Sequence, residues 1–323
     1  MLIRCAAVEA LQALDFYVHA DLFMNPTAAH ADIILPVSTP FEREGLKIGF
    51  EMSAEAQSLI QLRRRVVLPE GESRSDTEIV FDLATRLGLG EHFWDGDIDS
   101  GYRAQLAPTG VTLEDLRENP AGIRLPLETR YRTYEDTIGT GYRGFSTPTG
   151  KVEIFSEQFL DHGYSPLPEY EEPLISHVSR PDLASAFPLV LTCAHNTHFC
   201  ETQHRGLPSL RKLSRDPEIE LSPDAAAERG IVRGDWVTIE TPHGTIRAKA
   251  RLNESLDPCV VVGQHGWWQH CDAIGAPGYD PYSAAGSNLN LIVSNAEIDP
   301  VSGSVPHRSY VCDIRLAHGS DPC

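Results

Sequence analysis

The sequence predicts a mixed fold, α/β in its first part and mainly β in its last. Two short apolar runs, ending at Asp21 and at Pro36, are separated by one or two helical turns, which is the strand, helix, strand order of a parallel sheet. After Phe187 the apolar residues alternate instead in short runs divided by Gly and Pro turns, the pattern of a small closed barrel. Between them, from Gly90 to about Asp182, periodicity weakens and prolines accumulate, as in a connector lying along another surface. The expected divisions are an α/β lobe over 1–95, an irregular linker over 96–182, a β-barrel over 183–316 and a tail over 317–323.

In the first lobe, Glu9 to Leu14 reads as the end of a short helix and Phe16 to Ala20 as a strand running into Asp21. Pro26 to Ala31 supplies the helical turns and Asp32 to Pro36 the second strand. Ligands collect outside the carboxyl ends of strands in parallel sheets, where Asp21 falls, although a carboxylate there also serves to cap the next turn. Phe41-Glu42-Arg43-Glu44-Gly45 is too charged for a core and reads as a solvated loop. Ser75-Asp76 starts a helix, Ile79, Val80, Leu83, Ala84 and Leu87 mark its buried face, and Gly88 ends it. Within the linker, Phe145 to Ile154 reads as a turn leading into an ordered alternating strand.

In the last lobe, Phe187 to Leu191 suits a buried strand, and Ser222-Pro223 to Gly230 a one- to two-turn helix. Val237 and Ile239 alternate into a turn at Pro242-His243-Gly244, and Ile246 to Leu252 alternate out, a hairpin. Cys259 to Val262 is apolar on both faces, hence a buried strand. Asn288 to Ile292 and Tyr310 to Ile314 are the last strands.

Composition limits the partners. The chain has 323 residues, 41% of them hydrophobic, and a formal charge of −19. Such an acidic surface repels nucleic acid and anionic lipid at long range, so a phosphate ligand must be held by local donors. No window approaches the roughly eighteen apolar residues of a membrane span, and Met1 to Leu14 lacks the basic start and long apolar core of an export signal. Seven cysteines with no C-x-x-C pair and an odd count predict reduced thiols and a cytoplasmic location, with neither a zinc knuckle nor an iron–sulfur cluster held by this chain alone.

Functional candidates concentrate after the strand at Phe187, where the chain opens into a polar loop carrying His195, Asn196, His198, Glu201, Gln203, His204 and Arg205. A second polar loop, Gln264 to Gly266, precedes Trp267-Trp268. Two rival readings follow from residue types. A hydrolase could hold zinc through His195, His198, Cys200 and His204, though the loop has no helical signal to put two imidazoles on one face. A non-enzymatic interaction module could use Trp267 and Trp268 as exposed anchors, though paired tryptophans more often pack inside.

The order of motifs resembles a known family. Asp21-Leu22-Phe23, Pro26-Thr27-Ala28, Ala31 to Pro36, Glu42 and Gly45 look like the late α/β segment of the molybdopterin oxidoreductases, the group of dimethyl sulfoxide reductase and the formate dehydrogenases. Thr147-Pro148-Thr149-Gly150-Lys151-Val152-Glu153 resembles their linker motif, and Phe187 to Ile314 their molybdopterin dinucleotide-binding domain, a double-psi-type β-barrel. The resemblance implies a bis-molybdopterin guanine dinucleotide cofactor with molybdenum or tungsten. By the same resemblance Asp21 accepts hydrogen bonds from a guanine edge. His195, Asn196, His198, Phe199, Glu201 and Thr202 then line the cofactor loop, Asn290 holds the pterin and Arg308 neutralises a phosphate. Val293-Ser294 stands where the family's asparagine strand usually carries threonine. The family's metal-ligating side chain, its iron–sulfur cysteines and its first dinucleotide site lie N-terminal of the residues matched here. The chain is therefore expected to be the C-terminal part of a larger subunit, inactive alone, with the N-terminal remainder and an iron–sulfur electron-transfer subunit as partners.

Overall fold

A computed structural model describes residues 2–49, 53–127, 145, 147–294, 298–305 and 308–317. They fall into two compact units: one joins Val18–Met24 to Ala31–Glu169, and the other joins the residues up to Tyr17, Asn25–His30 and those from Tyr170 onward. Beyond Ala317 the expected tail lies outside the described residues, as does Ser146 of the linker motif. No helix among the described residues is long and apolar enough to cross a membrane.

The first helix, α1 (Leu2–Gln12), belongs to the second of these units. In the first unit, β1 (Val18–Asp21) and β2 (Ile33–Pro36) pair in parallel, as the sequence predicts, with Asp21 opposite Pro36. A second, antiparallel sheet contains β3 (Gly45–Lys47), β4 (Leu59–Arg63) and β5 (Ile123–Arg124), with the short α2 (Ala54–Gln57) leading into β4. Helix α3 (Asp76–Arg86) starts where expected: Ser75 Oγ accepts the Glu78 N–H while the Glu78 carboxylate accepts the Ser75 N–H, a reciprocal cap.

Three expectations for this unit are corrected. The α3 face is rotated: Ala84 is buried, but Val80, Leu83 and Leu87 are exposed, because Phe81 takes the contact instead, packing on Phe93 and Trp94. Phe41 to Gly45 is not a solvated loop. Glu42 is buried, and its carboxylate accepts the Thr39 and Glu70 N–H groups at 2.6 and 2.8 Å, tying two turns together. Third, the weakly patterned stretch after Gly90 contains α4 (Ile98–Leu106) and α5 (Leu113–Glu118), which bury Tyr102, Leu106, Leu113 and Leu116 against Ile60 and Leu62. Arg117 on α5 reaches both Asp99 and Glu44 at 2.7–2.9 Å.

The linker motif forms its turn but not its strand. Thr147 Oγ1 donates to the Lys151 carbonyl and the Thr149 N–H and hydroxyl donate to Glu153, so local side-chain bonds take the groups a strand partner would need. Val152 and Ile154 stay exposed. Beyond it lies the short α6 (Glu157–Asp161), capped by Ser156.

The second unit is built on a closed six-stranded barrel. Its strands are β6 (Leu189–Cys193), β7 (Glu218–Leu221), β8 (Trp236–Thr241), β9 (Gly244–Leu252), β10 (Val260–Gly263) and β11 (Tyr310–Leu316), neighbouring in the order β10, β6, β11, β8, β9, β7. Pairings of β6 with β10 and of β7 with β9 are parallel, and the others antiparallel. Period-two alternation sends Leu191, Ile219, Leu221, Ile239, Val261 and Ile314 into one core. On the outer face of β7, Glu218 and Glu220 meet Arg251 of β9. Two short helices complete the unit, α7 (Pro208–Arg211) and α8 (Pro223–Glu228), the latter capped by Ser222 as predicted.

Two readings change here. Asn288 to Ile292 is a 3₁₀ turn over Leu289–Leu291, because the Asn288 side chain accepts the Asn290 N–H and closes the chain on itself. And β10 is only half buried, with Val261 and Gly263 inside and Cys259 exposed.

Candidate functional site

Strand direction gathers the site. Because β6 and β10 run parallel, with Cys193 opposite Gly263, the loops that follow them leave the barrel at the same end. β11 runs against β6, Tyr310 facing Leu191, so the residues just before it reach that end too. Leu289 lies over Gly263, where a Cβ would stand only 3.0 Å from its Cδ1, and this brings Asn290 alongside. The barrel end at the carboxyl termini of two parallel strands therefore presents the loop after Cys193, the loop after Gly263, Asn290 and Arg308, the place where ligands collect in such sheets.

At its centre are three side chains from two loops. The exposed Glu201 carboxylate lies 3.4 Å from His195 Nδ1 and 2.9 Å from His265 Nε2. The two imidazole rings stand edge to face, 5.3 Å apart. Behind them Cys193 Sγ is 3.5 Å from His265 Nδ1. Burial pulls the His265 pKa down against the Glu201 hydrogen bond, so its ring is neutral at neutral pH. Burial, then the Glu201 charge, pushes the Cys193 thiol up, while the Arg308 charge works the other way. With a neutral ring and a protonated thiol, His265 Nε2–H donates to Glu201 and Nδ1 accepts from the sulfur.

The remaining sequence candidates divide by orientation. His198, Thr202, Asn290 and Arg308 are exposed at this end of the unit, His198 beside a hollow lined also by Glu218, Arg233 and Lys249. Asn196 is turned inward: its amide donates to Ser214 Oγ at 2.9 Å and its oxygen accepts the His198 N–H. Phe199 is buried against Trp267 and Arg205. In the other unit, Asp21 Oδ1 accepts the Leu22 N–H at 2.6 Å, capping the next turn, and Oδ2 lies 3.5 Å from His19.

Neither rival cluster forms as sequence alone suggested. Among the described residues the metal-competent group is His195, Glu201 and His265, and His198, Cys200 and His204 do not join it. Trp267 is buried, its indole N–H donating to Gln264, so it is no exposed anchor, and Trp268 is half-buried.

Two arginines hold the loops: Arg205, already among the polar-loop candidates of the sequence, and Arg211, which sequence reasoning did not single out. Arg205 is buried; its Nη1 donates to the Glu201 carbonyl at 2.7 Å and its Nη2 to the His265 carbonyl at 2.6 Å. One guanidinium thus staples both loops, and it stabilises Glu201 in a left-handed conformation, φ 51°, that a non-glycine residue adopts at a cost. Arg211, also buried, donates to the carbonyls of Arg205, Gln269, Pro277 and Arg215. Both lie 5.0 Å from the Trp267 ring. Burial and the neighbouring Arg211 charge draw the Arg205 pKa down to about 10, still charged at neutral pH. The signal for His265 was present as a polar loop after a buried strand, but the pairing that brings it to Glu201 spans some sixty residues and is invisible locally.

A molydopterin dinucleotide binding domain model matches residues 189–311, and a molybdopterin oxidoreductase model residues 4–86. Acetylene hydratase of Syntrophotalea acetylenica is 32% identical over 268 residues, covering 81% of this chain and 34% of that protein. Dimethyl sulfoxide/trimethylamine N-oxide reductase of Cereibacter sphaeroides is 26% identical over 290 residues, covering 83% and 34%. The solved structure of acetylene hydratase from Pelobacter acetylenicus matches with a TM-score of 0.78 at 28% identity, over 96% of this chain and 42% of its own. The chain spans about a third of the length of these curated relatives.

Proposed function

Since the chain belongs to the molybdopterin oxidoreductase family, we propose that it is the C-terminal cofactor-binding region of a molybdenum or tungsten enzyme using bis-molybdopterin guanine dinucleotide. The observation that supports this best is the assembly, at the carboxyl ends of β6 and β10, of exposed groups suited to a polyanionic heteroaromatic ligand. The donor set fits the group. Arg308 offers a cation to a phosphate, Thr202 a hydroxyl, and Asn290, His195 and His198 donors and acceptors for pterin edges. A protein of net charge −19 needs such a local cation to hold a phosphate at all.

The bound cofactor would supply two-electron redox chemistry, and this chain's residues would position and tune it. Arg308 neutralises phosphate charge, Asn290 orients the pterin, and Glu201, oriented by His195 and His265, accepts from a ring N–H. Asn196 and Phe199, which face inward, position the loop rather than touch the ligand. Asp21, whose Oδ1 caps the next turn, is the acceptor for the guanine edge on this reading. On this reading the metal ligand and the iron–sulfur cysteines belong to sequence outside this chain, with an iron–sulfur subunit as the electron partner.

Calorimetric titration of the purified chain with molybdopterin guanine dinucleotide tests the assignment. Stoichiometric binding is expected, weakened at least tenfold, about 1.4 kcal/mol, by Asn290→Ala, Arg308→Ala or Asp21→Ala. Binding that all three variants leave unchanged would show that the residues are misassigned.

A further inference from the structure

The geometry points to a three-ligand site for a divalent transition metal, zinc by the chemistry of its donors, formed by His195 Nδ1, the Glu201 carboxylate and His265 Nε2. These ligand atoms all lie within 4.8 Å of one another. Tetrahedral coordination at about 2.0–2.2 Å sets neighbouring donors roughly 3.3 Å apart. His195 and Glu201 already stand at 3.4 Å, and the 2.9 Å His265–Glu201 hydrogen bond opens by a few tenths of an ångström once the metal replaces its proton. Two imidazoles and one carboxylate with a fourth position open to solvent is a set that zinc accepts, and the exposure of His195 and Glu201 gives a path in.

Two features separate this cluster from a chance meeting of surface groups. Arg205 holds the carbonyls of both Glu201 and His265, so one buried guanidinium fixes the backbone of two ligands drawn from two loops. Side chains mounted this way lose less freedom on binding a metal than side chains on free loops. Behind the site, Cys193 Sγ lies 3.5 Å from the non-ligating nitrogen of His265. When Nε2 takes the metal the ring proton sits on Nδ1 and donates to that sulfur, the outer partner that fixes a ligating histidine's tautomer. The site shares His195 and Glu201 with the proposed cofactor contacts, so metal and cofactor compete for them, but its three ligands meet one another in the chain without any cofactor.

The test is zinc titration of the full chain, stripped with chelator and kept free of added thiol and cofactor, followed calorimetrically and by metal analysis after dialysis. One zinc per chain is expected, with binding weakened at least tenfold by His265→Ala and by Glu201→Gln. Cys200→Ser and His204→Asn, the latter compatible with the left-handed φ of 74° at that position, should bind as the unmodified chain does. Cobalt(II) gives a readout that needs no variant: intense tetrahedral visible bands without a thiolate charge-transfer band support the His, Glu, His set. No stoichiometric zinc, affinity indifferent to His265→Ala, or a thiolate charge-transfer band would each overturn it.

Discussion

Arg205 and Arg211 direct their charge at backbone carbonyls and at the Trp267 ring. A guanidinium is the only side chain that can span two carbonyls on different loops with a rigid fork and still lie flat against an aromatic face. Arg205→Ala leaves those partly buried carbonyls without donors and removes a buried guanidinium, and we expect a loss of about 2 kcal/mol in urea unfolding of the barrel unit. Arg205→Lys should recover less than half of it, since an ammonium is a point donor. Full recovery by lysine would mean that charge alone, not geometry, is what the loops need. Glu42 gives a second prediction at this scale. The Thr39 N–H, then that of Glu70, hold its carboxyl below the ordinary value of 4.5. A depressed folded-state pKa contributes stability that is present above the unfolded value and disappears as pH falls through the folded one. Glu42→Gln should therefore shrink the difference in stability between pH 7 and pH 3. An unchanged difference would remove Glu42 from the account of acid sensitivity.

Helix α3 and the barrel strands show which elements are legible in a sequence. Ser75 and Glu78 announce the start of α3 by residue type alone, and Ser75→Ala should cost about 1 kcal/mol in thermal unfolding of its unit. A variant as stable as the original would deny the cap any part in holding the helix. Which face of α3 packs was not legible, because Phe81 is chosen by Phe93 and Trp94, residues whose left-handed and kinked backbone gives no periodic signal. The hairpin of β8 and β9 was plain from alternation and a Gly-containing turn, whereas β7 was not, since Glu218 and Glu220 on its outer face disguise a strand of only four residues. Asn288 to Ile292 misled in the opposite direction, apolar enough for a strand but closed by its own asparagine. At the site, polar residue density marked the loop after β6, while its partner loop depended on parallel pairing over a long separation. Gly266 is where the two loops touch. Its φ is 81°, and a Cβ there would stand 2.8 Å from Thr202 Cα, so Gly266→Ala should cost about 1–3 kcal/mol and displace the loop. Thermal unfolding and cofactor titration of that variant check both consequences, and native values in the two measurements would contradict the close approach.

At the scale of the molecule, the proposed cofactor reading accounts for exposed histidines and an arginine at one end of a closed sheet in so acidic a chain. The chain spans about a third of the length of these curated relatives, and on the proposed reading its part in such an enzyme is to hold the cofactor. The most direct test is hydrogen exchange of the full chain with and without molybdopterin guanine dinucleotide. Protection is predicted in residues 194–206 and 264–271, around Asn290 and Arg308, and next to Asp21, with the barrel strands themselves unchanged. Protection absent from the two loops, or found only elsewhere in the chain, would contradict the proposed site.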